Sequence, residues 1–397
     1  MKRRDFLLGT GTLAISGLFT GCSKQQASLR IRLLKDSVPP QLLNEFRQKF
    51  QQIGELDLTI EAQLIKLFAS LQEKPKSQNW WSKLPLPAAR ETESQFADLV
   101  TLGDYWLAAA IDQKLIQPLD PDQLQKWEQL PLQYQRLVRR NQQGNIDLKG
   151  QVWGAPYRWG TTMIVYRRDI FKAKGFPPPQ DWDDLWRTEL RDRISLLDQS
   201  REVIGLTLKK INPQNSYNTQ QLDKIPQLKS ELKALAQQVK FYSDNTYLQP
   251  LILGDTWVAV GWSTDILPAI QRQPNTIGAV IPLSGTSLWA DLWVRPTKAN
   301  HNFSLARDWI DFGWQPEIAA LFSRFGKAAS PIFAGEKLEE LPKSIRNKNL
   351  LFPSPEVYQR SEFLLPLSPK AKQQYLNLWQ EIRFQGLGLG DRKGGGA

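Results

Sequence analysis

A single cysteine and a single histidine occur in 397 residues, with only two methionines. One cysteine excludes an internal disulfide and any thiolate-based zinc or iron–sulfur centre, and one histidine excludes a multi-histidine metal site. No cofactor or metal is therefore expected. No basic run gathers the net charge of +11, so the chain lacks a nucleic-acid footprint and no nucleic-acid partner is expected. Neither an internal repeat nor a phosphate-cradling glycine motif is present. What the chain does have is tryptophan, 15 of them. Poor in catalytic side chains and rich in aromatic faces, it reads as a binder rather than an enzyme. Its length exceeds one domain's worth, and 41% hydrophobic with 23% charged residues is ordinary for a globular protein.

Residues 1–22 read as a targeting segment and stand apart from the fold. Lys2, Arg3 and Arg4 precede an apolar stretch from Leu7 to Phe19, too short for the roughly 20 residues of a membrane span. Arg3-Arg4-Asp5-Phe6-Leu7 resembles the twin-arginine export motif. Phe19-Thr20-Gly21-Cys22 resembles a lipobox, cleaved before a lipid-modified cysteine. These motifs predict an exported, periplasmic lipoprotein held to the membrane through Cys22, with residues 23–28 as a polar tether. A lipoprotein cysteine carries the more than one acyl chain that stable anchoring needs.

In the body, Leu29, Ile31 and Leu33 alternate with Arg30 and Arg32, the period of a half-buried strand. Pro39-Pro40 opens a helix with Leu43, Phe46 and Phe50 on one face. Leu56, Leu58 and Ile60 mark a strand; Leu64, Phe68 and Leu71 a helix; Asp98 to Val100 a strand; and Trp106 to Ile116 a helix. This alternation argues an α/β domain with a mainly parallel sheet. Residues 73–92, with three prolines and the Trp80-Trp81 pair, read as an insertion. A second α/β series has strands at Met163–Tyr166, Ile194–Leu197, Val258–Gly261, Ile277–Ile281 and Leu288–Val294. Its helices are expected at Trp182–Leu190 (capped by Asp181), Arg201–Lys210, Thr219–Val239 and after Ser263 or Thr264. Further helices are expected at Ser304–Phe312, Glu317–Arg324 and Pro369–Phe384, before a loose glycine-rich tail.

Several blocks, in order, resemble the bacterial extracellular solute-binding proteins of the periplasmic spermidine/putrescine type, which serve ABC transporters. They include Val38-Pro39-Pro40, Ala97-Asp98-Leu99-Val100, Tyr105-Trp106 and Ala155 to Thr162 (Ala-Pro-Tyr-Arg-Trp-Gly-Thr-Thr). Asp181 to Trp186, Leu197 to Val203, Ser243-Asp244-Asn245, Val260 to Ser263 and Leu288 to Asp291 complete the set. The resemblance covers about residues 29–335. It implies a two-lobed type II periplasmic-binding-protein fold with a doubly crossed hinge. On that pattern residues 29–160 form lobe one, 161–287 lobe two and 288–335 the return to lobe one. Residues 336–388 then carry C-terminal helices, and 389–397 the tail. The implied function is a monomeric, lipid-anchored receptor delivering a polyamine to ABC permease subunits.

A polyamine is an apolar rod with ammonium groups, so its site needs carboxylates at the charge spacing and aromatic faces along the methylenes. By the resemblance, Glu202 and Asp291 hold amino groups, and Trp262, Trp289 and Tyr105 line the rod, with Trp106 as a second wall. Departures accompany these matches. Gln199 stands where the family tends to have another carboxylate. The first loop reads Leu34-Lys35-Asp36-Ser37 in place of the family's aromatic pair. A cleft-facing Lys35 about 6 Å from an ammonium would cost roughly 2–3 kcal/mol at an effective dielectric near 20. Lys35 and Arg158 therefore leave open a different small solute, such as an organic anion or an amino acid. A ligand-free adaptor on the same fold is a further class. An exported enzyme is the least favoured: His301 lies in a polar turn, and only Glu202 and Asp291 remain as a carboxylate pair.

Overall fold

The computed structural model describes residues 27–50, 55–72, 96–299 and 303–386. Arg3, Arg4, Cys22, the 73–92 insertion, His301 and the 389–397 tail lie outside the described residues.

One eleven-stranded sheet carries the fold. Its strands in chain order are β1 (Ala27–Leu34), β2 (Glu55–Glu61), β3 (Leu99–Gly103), β4 (Ile116–Gln117) and β5 (Ala155–Arg167). They continue as β6 (Ile194–Leu196), β7 (Val239–Tyr242), β8 (Val258–Trp262), β9 (Ile277–Val280), β10 (Ser287–Pro296) and β11 (Glu362–Phe363). The order across the sheet is β2-β1-β3-β10-β5-β8-β6-β7, with β4 and β11 paired to β10 and β9 paired to β5. Both ends are parallel, β2-β1-β3 and β8-β6-β7, while β10 and β5 run antiparallel between them.

β5 is the hinge of this arrangement. Its first half, Ala155 to Thr161, pairs with β10, and its second half, Thr162 to Arg167, pairs with β8 and β9. One strand thus belongs to two halves of the sheet, and each half has its own core. In the first, Leu29, Ile31, Phe46, Leu99 and Trp293 pack together. The second holds Ile164, Trp182, Leu196, Val260 and Tyr375, and Met163, Tyr247 and Ile266 form a smaller core on the other face. The molecule is two-lobed α/β.

Local sequence explains most helices. α1 (Pro40–Lys49) opens with proline in its first turn, where the missing N–H costs nothing, and buries Leu42 and Phe46. α2 (Leu64–Gln72), α3 (Ser200–Ile211) and α4 (Leu228–Ala236) follow. α4 corrects an expectation, because the helix foreseen over 219–239 is confined to 228–236. Pro226 supplies no N–H and drives Ile225 out of helical backbone (φ −117°, ψ 84°), so the stretch before it makes only a short turn. The foreseen helix at Trp182–Leu190 is two 3₁₀ turns behind an Asp181 capping box. That at Trp106–Ile116 ends at Asp112, and Ile116 already belongs to β4. α5 (Ser263–Arg272), α6 (Ser304–Gly313) and α7 (Pro316–Phe325) lead to α8 (Pro369–Gly386), whose Tyr375, Trp379 and Ile382 enter the second core. Among the described residues no helix is long and apolar enough to cross a membrane.

Candidate binding site

The strand period places the site. On β5, positions 158, 160 and 162 point to one face, and on β10 positions 287, 289 and 291 do the same. The register sets Arg158 opposite Asp291 and Gly160 opposite Trp289. Trp159 faces the other way, fully buried in the first core. Two adjacent strands therefore form a floor where the lobes meet, with a charged row at one end and an aromatic row beside it.

At the charged end, Arg158 Nε and Nη2 both donate to Asp291 Oδ2, at 2.6 and 2.5 Å. The two residues are 4% and 2% exposed. Burial works against the Arg158 charge, yet Asp291 and Tyr157 hold its pKa above the ordinary arginine value. The guanidinium carbon lies 5.8 Å from the Trp289 ring centroid and 6.0 Å from that of Tyr157. The indole of Trp289 rests on Gly160: a Cβ there would come within 2.4 Å of its Cζ2. Its Nε1 is buried with no hydrogen-bond partner among the described residues.

Glu202 anchors the other end. It sits in the first turn of α3, where the helix dipole favours a carboxylate. Thr162 Oγ1 donates to Oε1 at 3.2 Å and Ser287 Oγ to Oε2 at 2.5 Å. Burial pushes the Glu202 carboxyl up, opposed by hydrogen bonds from Ser287, Thr162 and Trp262 and by the Arg201 charge. Thr162 and Ser287 each lie four residues from the charged row, so the two rows are about 13 Å apart along the strands. Trp262 is held from behind: its backbone N–H donates to the Tyr247 hydroxyl (3.0 Å), which donates to Asp265 Oδ2 (2.8 Å). Burial raises the Asp265 pKa, and Tyr247, Lys327 and Arg158 oppose that.

The remaining candidates are more scattered. Tyr105 is 60% exposed, in the turn that follows β3. Trp106 stacks on Phe68 (centroids 4.7 Å) and packs against the first core, so it serves the lobe's interior. Gln199 immediately precedes α3 and lies near Asp244, whose pKa burial and Asp198 raise and Gln199 opposes. Lys35 is exposed at the rim, its N–H donating to Glu61 O at 2.7 Å. Asp36, at φ +59°, pairs with Lys327 at 2.8 Å. The cation on the floor is Arg158.

Sequence reasoning had Arg158 in view without assigning it to Asp291, and it missed Thr162, Ser287 and the Tyr247–Asp265 support. The available signal was strand parity, which puts 158, 160 and 162 on one face. Among the described residues no cluster of His, Cys, Asp and Glu could hold a metal ion.

Comparison with known proteins matches residues 94–354 to the model of a family described as bacterial extracellular solute-binding protein. The spermidine/putrescine-binding periplasmic protein of Escherichia coli (strain K12) is 25% identical over 358 residues, spanning 90% of this chain and 92% of its own. The putrescine-binding periplasmic protein PotF of the same organism is 24% identical over 304 residues, 72% of this chain and 78% of its own. Among solved structures, a Streptococcus pneumoniae spermidine/putrescine ABC transporter substrate-binding protein has a TM-score of 0.72 at 21% identity, covering 90% of this chain and 99% of that one. The TpPotD lipoprotein of Treponema pallidum has a TM-score of 0.63 at 18% identity with the same coverage. At these identities the structural likeness speaks for the fold.

Proposed function

The chain belongs to the family of bacterial extracellular solute-binding proteins, and from that membership we propose that it is the receptor of an ABC uptake system for an aliphatic amine of the polyamine kind. The observation that carries the amine is Glu202, a buried carboxylate at the lobe junction beside Trp262, with Trp289 two residues along β10 from Ser287. An ammonium there gains a charge partner on a site where the carboxylate alone is poorly solvated, and the indoles cover the methylenes. Closure of the lobes over the solute would create the surface a permease reads. The export and lipobox motifs add a periplasmic protein tethered through lipidated Cys22.

A thermal-shift screen tests the function, because a ligand of the folded state raises the melting temperature by mass action. Putrescine, spermidine and shorter amines should raise it, and amino acids, organic acids and sugars should not. An organic acid as sole hit would transfer the ligand to Arg158, and conversion of a hit to product would make the protein an enzyme. For the anchor, Cys22→Ser should move the protein from the membrane to the soluble fraction; an unchanged membrane fraction refutes lipidation.

A further inference from the structure

Two carboxylates that each hold an ammonium would make a diamine site, but of the two at the ends of this floor, Asp291 and Glu202, only Glu202 is free of an ion pair among the described residues. Asp291 already has a cation. Arg158 stands directly opposite it in the ladder, and two of its N–H groups converge on one carboxylate oxygen at 2.6 and 2.5 Å. Both partners are almost completely buried, so solvent does not screen them. An ammonium drawn to Asp291 would meet the guanidinium at nearly the same distance, and attraction and repulsion would largely offset. Lys327 and Asp36 form a second self-neutralised pair at the rim. Glu202 is different: its oxygens accept from the neutral hydroxyls of Thr162 and Ser287, and Arg201, whose charge it feels, makes no ion pair with it.

Hydrogen-bond chemistry at the Arg158 end points the same way. Trp289 Nε1–H is a buried donor with no partner among the described residues, and it belongs to the ring beside the guanidinium. Arginine carries five N–H donors and no acceptor, and two nitrogens account for its bonds to Asp291. An ammonium is a donor only. It would meet donors there. An amide or hydroxyl oxygen would accept from them.

The span is suitable for a short chain. The row of Thr162 and Ser287 and the row of Arg158 and Asp291 are about 13 Å apart along the strands, which leaves room between them for a short aliphatic chain. Gly160 and Trp289 lie between, one giving the floor its depth and the other an apolar face.

We infer that Arg158 is a built-in counter-ion standing where a second ligand cation would sit, so that the solute is an aliphatic amine charged at one end only. Its ammonium lies on Glu202, and an uncharged acceptor, an amide or a hydroxyl, faces Arg158 and Trp289. This rests on the proposed amine-binding function and narrows it to singly charged amines.

Titration calorimetry on the full-length chain with N-acetylputrescine, putrescine and spermidine separates the possibilities. N-acetylputrescine should bind at least about tenfold tighter than putrescine, because only putrescine brings a second cation to Arg158. Arg158→Met should narrow or reverse that preference by tightening putrescine about tenfold. The comparison on the unaltered chain stands alone if that variant does not fold. Putrescine or spermidine binding tighter than N-acetylputrescine would overturn the counter-ion role and leave the amine receptor intact. Failure of all three amines to bind would overturn both.

Discussion

Asp104 is the acid most exposed to pH by its surroundings. It follows β3, is 8% exposed and accepts the Ala290 N–H at 3.0 Å. Burial pushes its carboxyl up to about 7; Asp291 adds to this, while the Ala290 bond and Arg140 oppose it. Between the ordinary carboxyl value near about 4 and about 7, the folded state holds a proton that the unfolded chain has lost. Stability must then fall as pH rises through that window and level off above it. At about 1.4 kcal/mol per unit, the shift is equivalent to a few kcal/mol. Asp104→Asn keeps an acceptor for Ala290 and should flatten the decline in urea unfolding measured across that window. A slope as steep as the native one would assign the effect to Glu202, Asp265 and Asp244, whose pKa values are also raised. Lys35 shows the limit of reading at this scale. A lysine after a strand has no periodicity to direct it, and the turn at Asp36, in left-handed backbone, leaves Lys35 exposed at the rim.

At the scale of elements, the paired strands β5 and β10 are the working part of the site, and Gly160 is their most constrained position. Gly160→Ala would put a Cβ 2.4 Å from Trp289 Cζ2 and 2.3 Å from Ser263 Oγ. Both are side-chain atoms, so the chain should still fold, at an overpacking cost of about 1–3 kcal/mol. The displaced indole should weaken amine binding about tenfold or more by calorimetry, with a modest drop in melting temperature. Unchanged affinity would remove Trp289 from the binding surface. Strands such as β1 and β2 were legible because alternation of Leu and Ile with polar residues is a local pattern. The 219–239 stretch was not, since its apolar spacing suits a helix while Pro226 forbids one. Arg158 and Asp291 are 133 residues apart, so parity shows which face each occupies but only the ladder register shows that they meet.

Viewed as a whole molecule, the chain passes between the two cores three times: through β5, through β10, and again after β11. The last passage is polar. Glu362 Oε2 accepts from Ser216 Oγ (2.9 Å) and Tyr217 N–H (2.7 Å), Asn218 bonds both Phe363 O and Leu365 N–H, and Arg201 Nη1 reaches Leu365 O. Glu362→Ala strands two donors and should lower stability by about 1–3 kcal/mol in chemical denaturation. No loss would mean that water replaces the carboxylate. X-ray scattering should show compaction on adding a bound amine, and identical curves would argue against lobe closure. The third passage also bears on the order in which the protein is made. Synthesis runs from the N-terminus, and domains generally fold as they emerge. Here Tyr375, Trp379 and Ile382, which seal the second core, are translated after the rest of that core. The second lobe must therefore wait, its apolar face uncovered, until α8 has left the ribosome. A transcript truncated just before α8 would yield a finished first lobe carrying an unfinished second one, a natural substrate for chaperones and proteases.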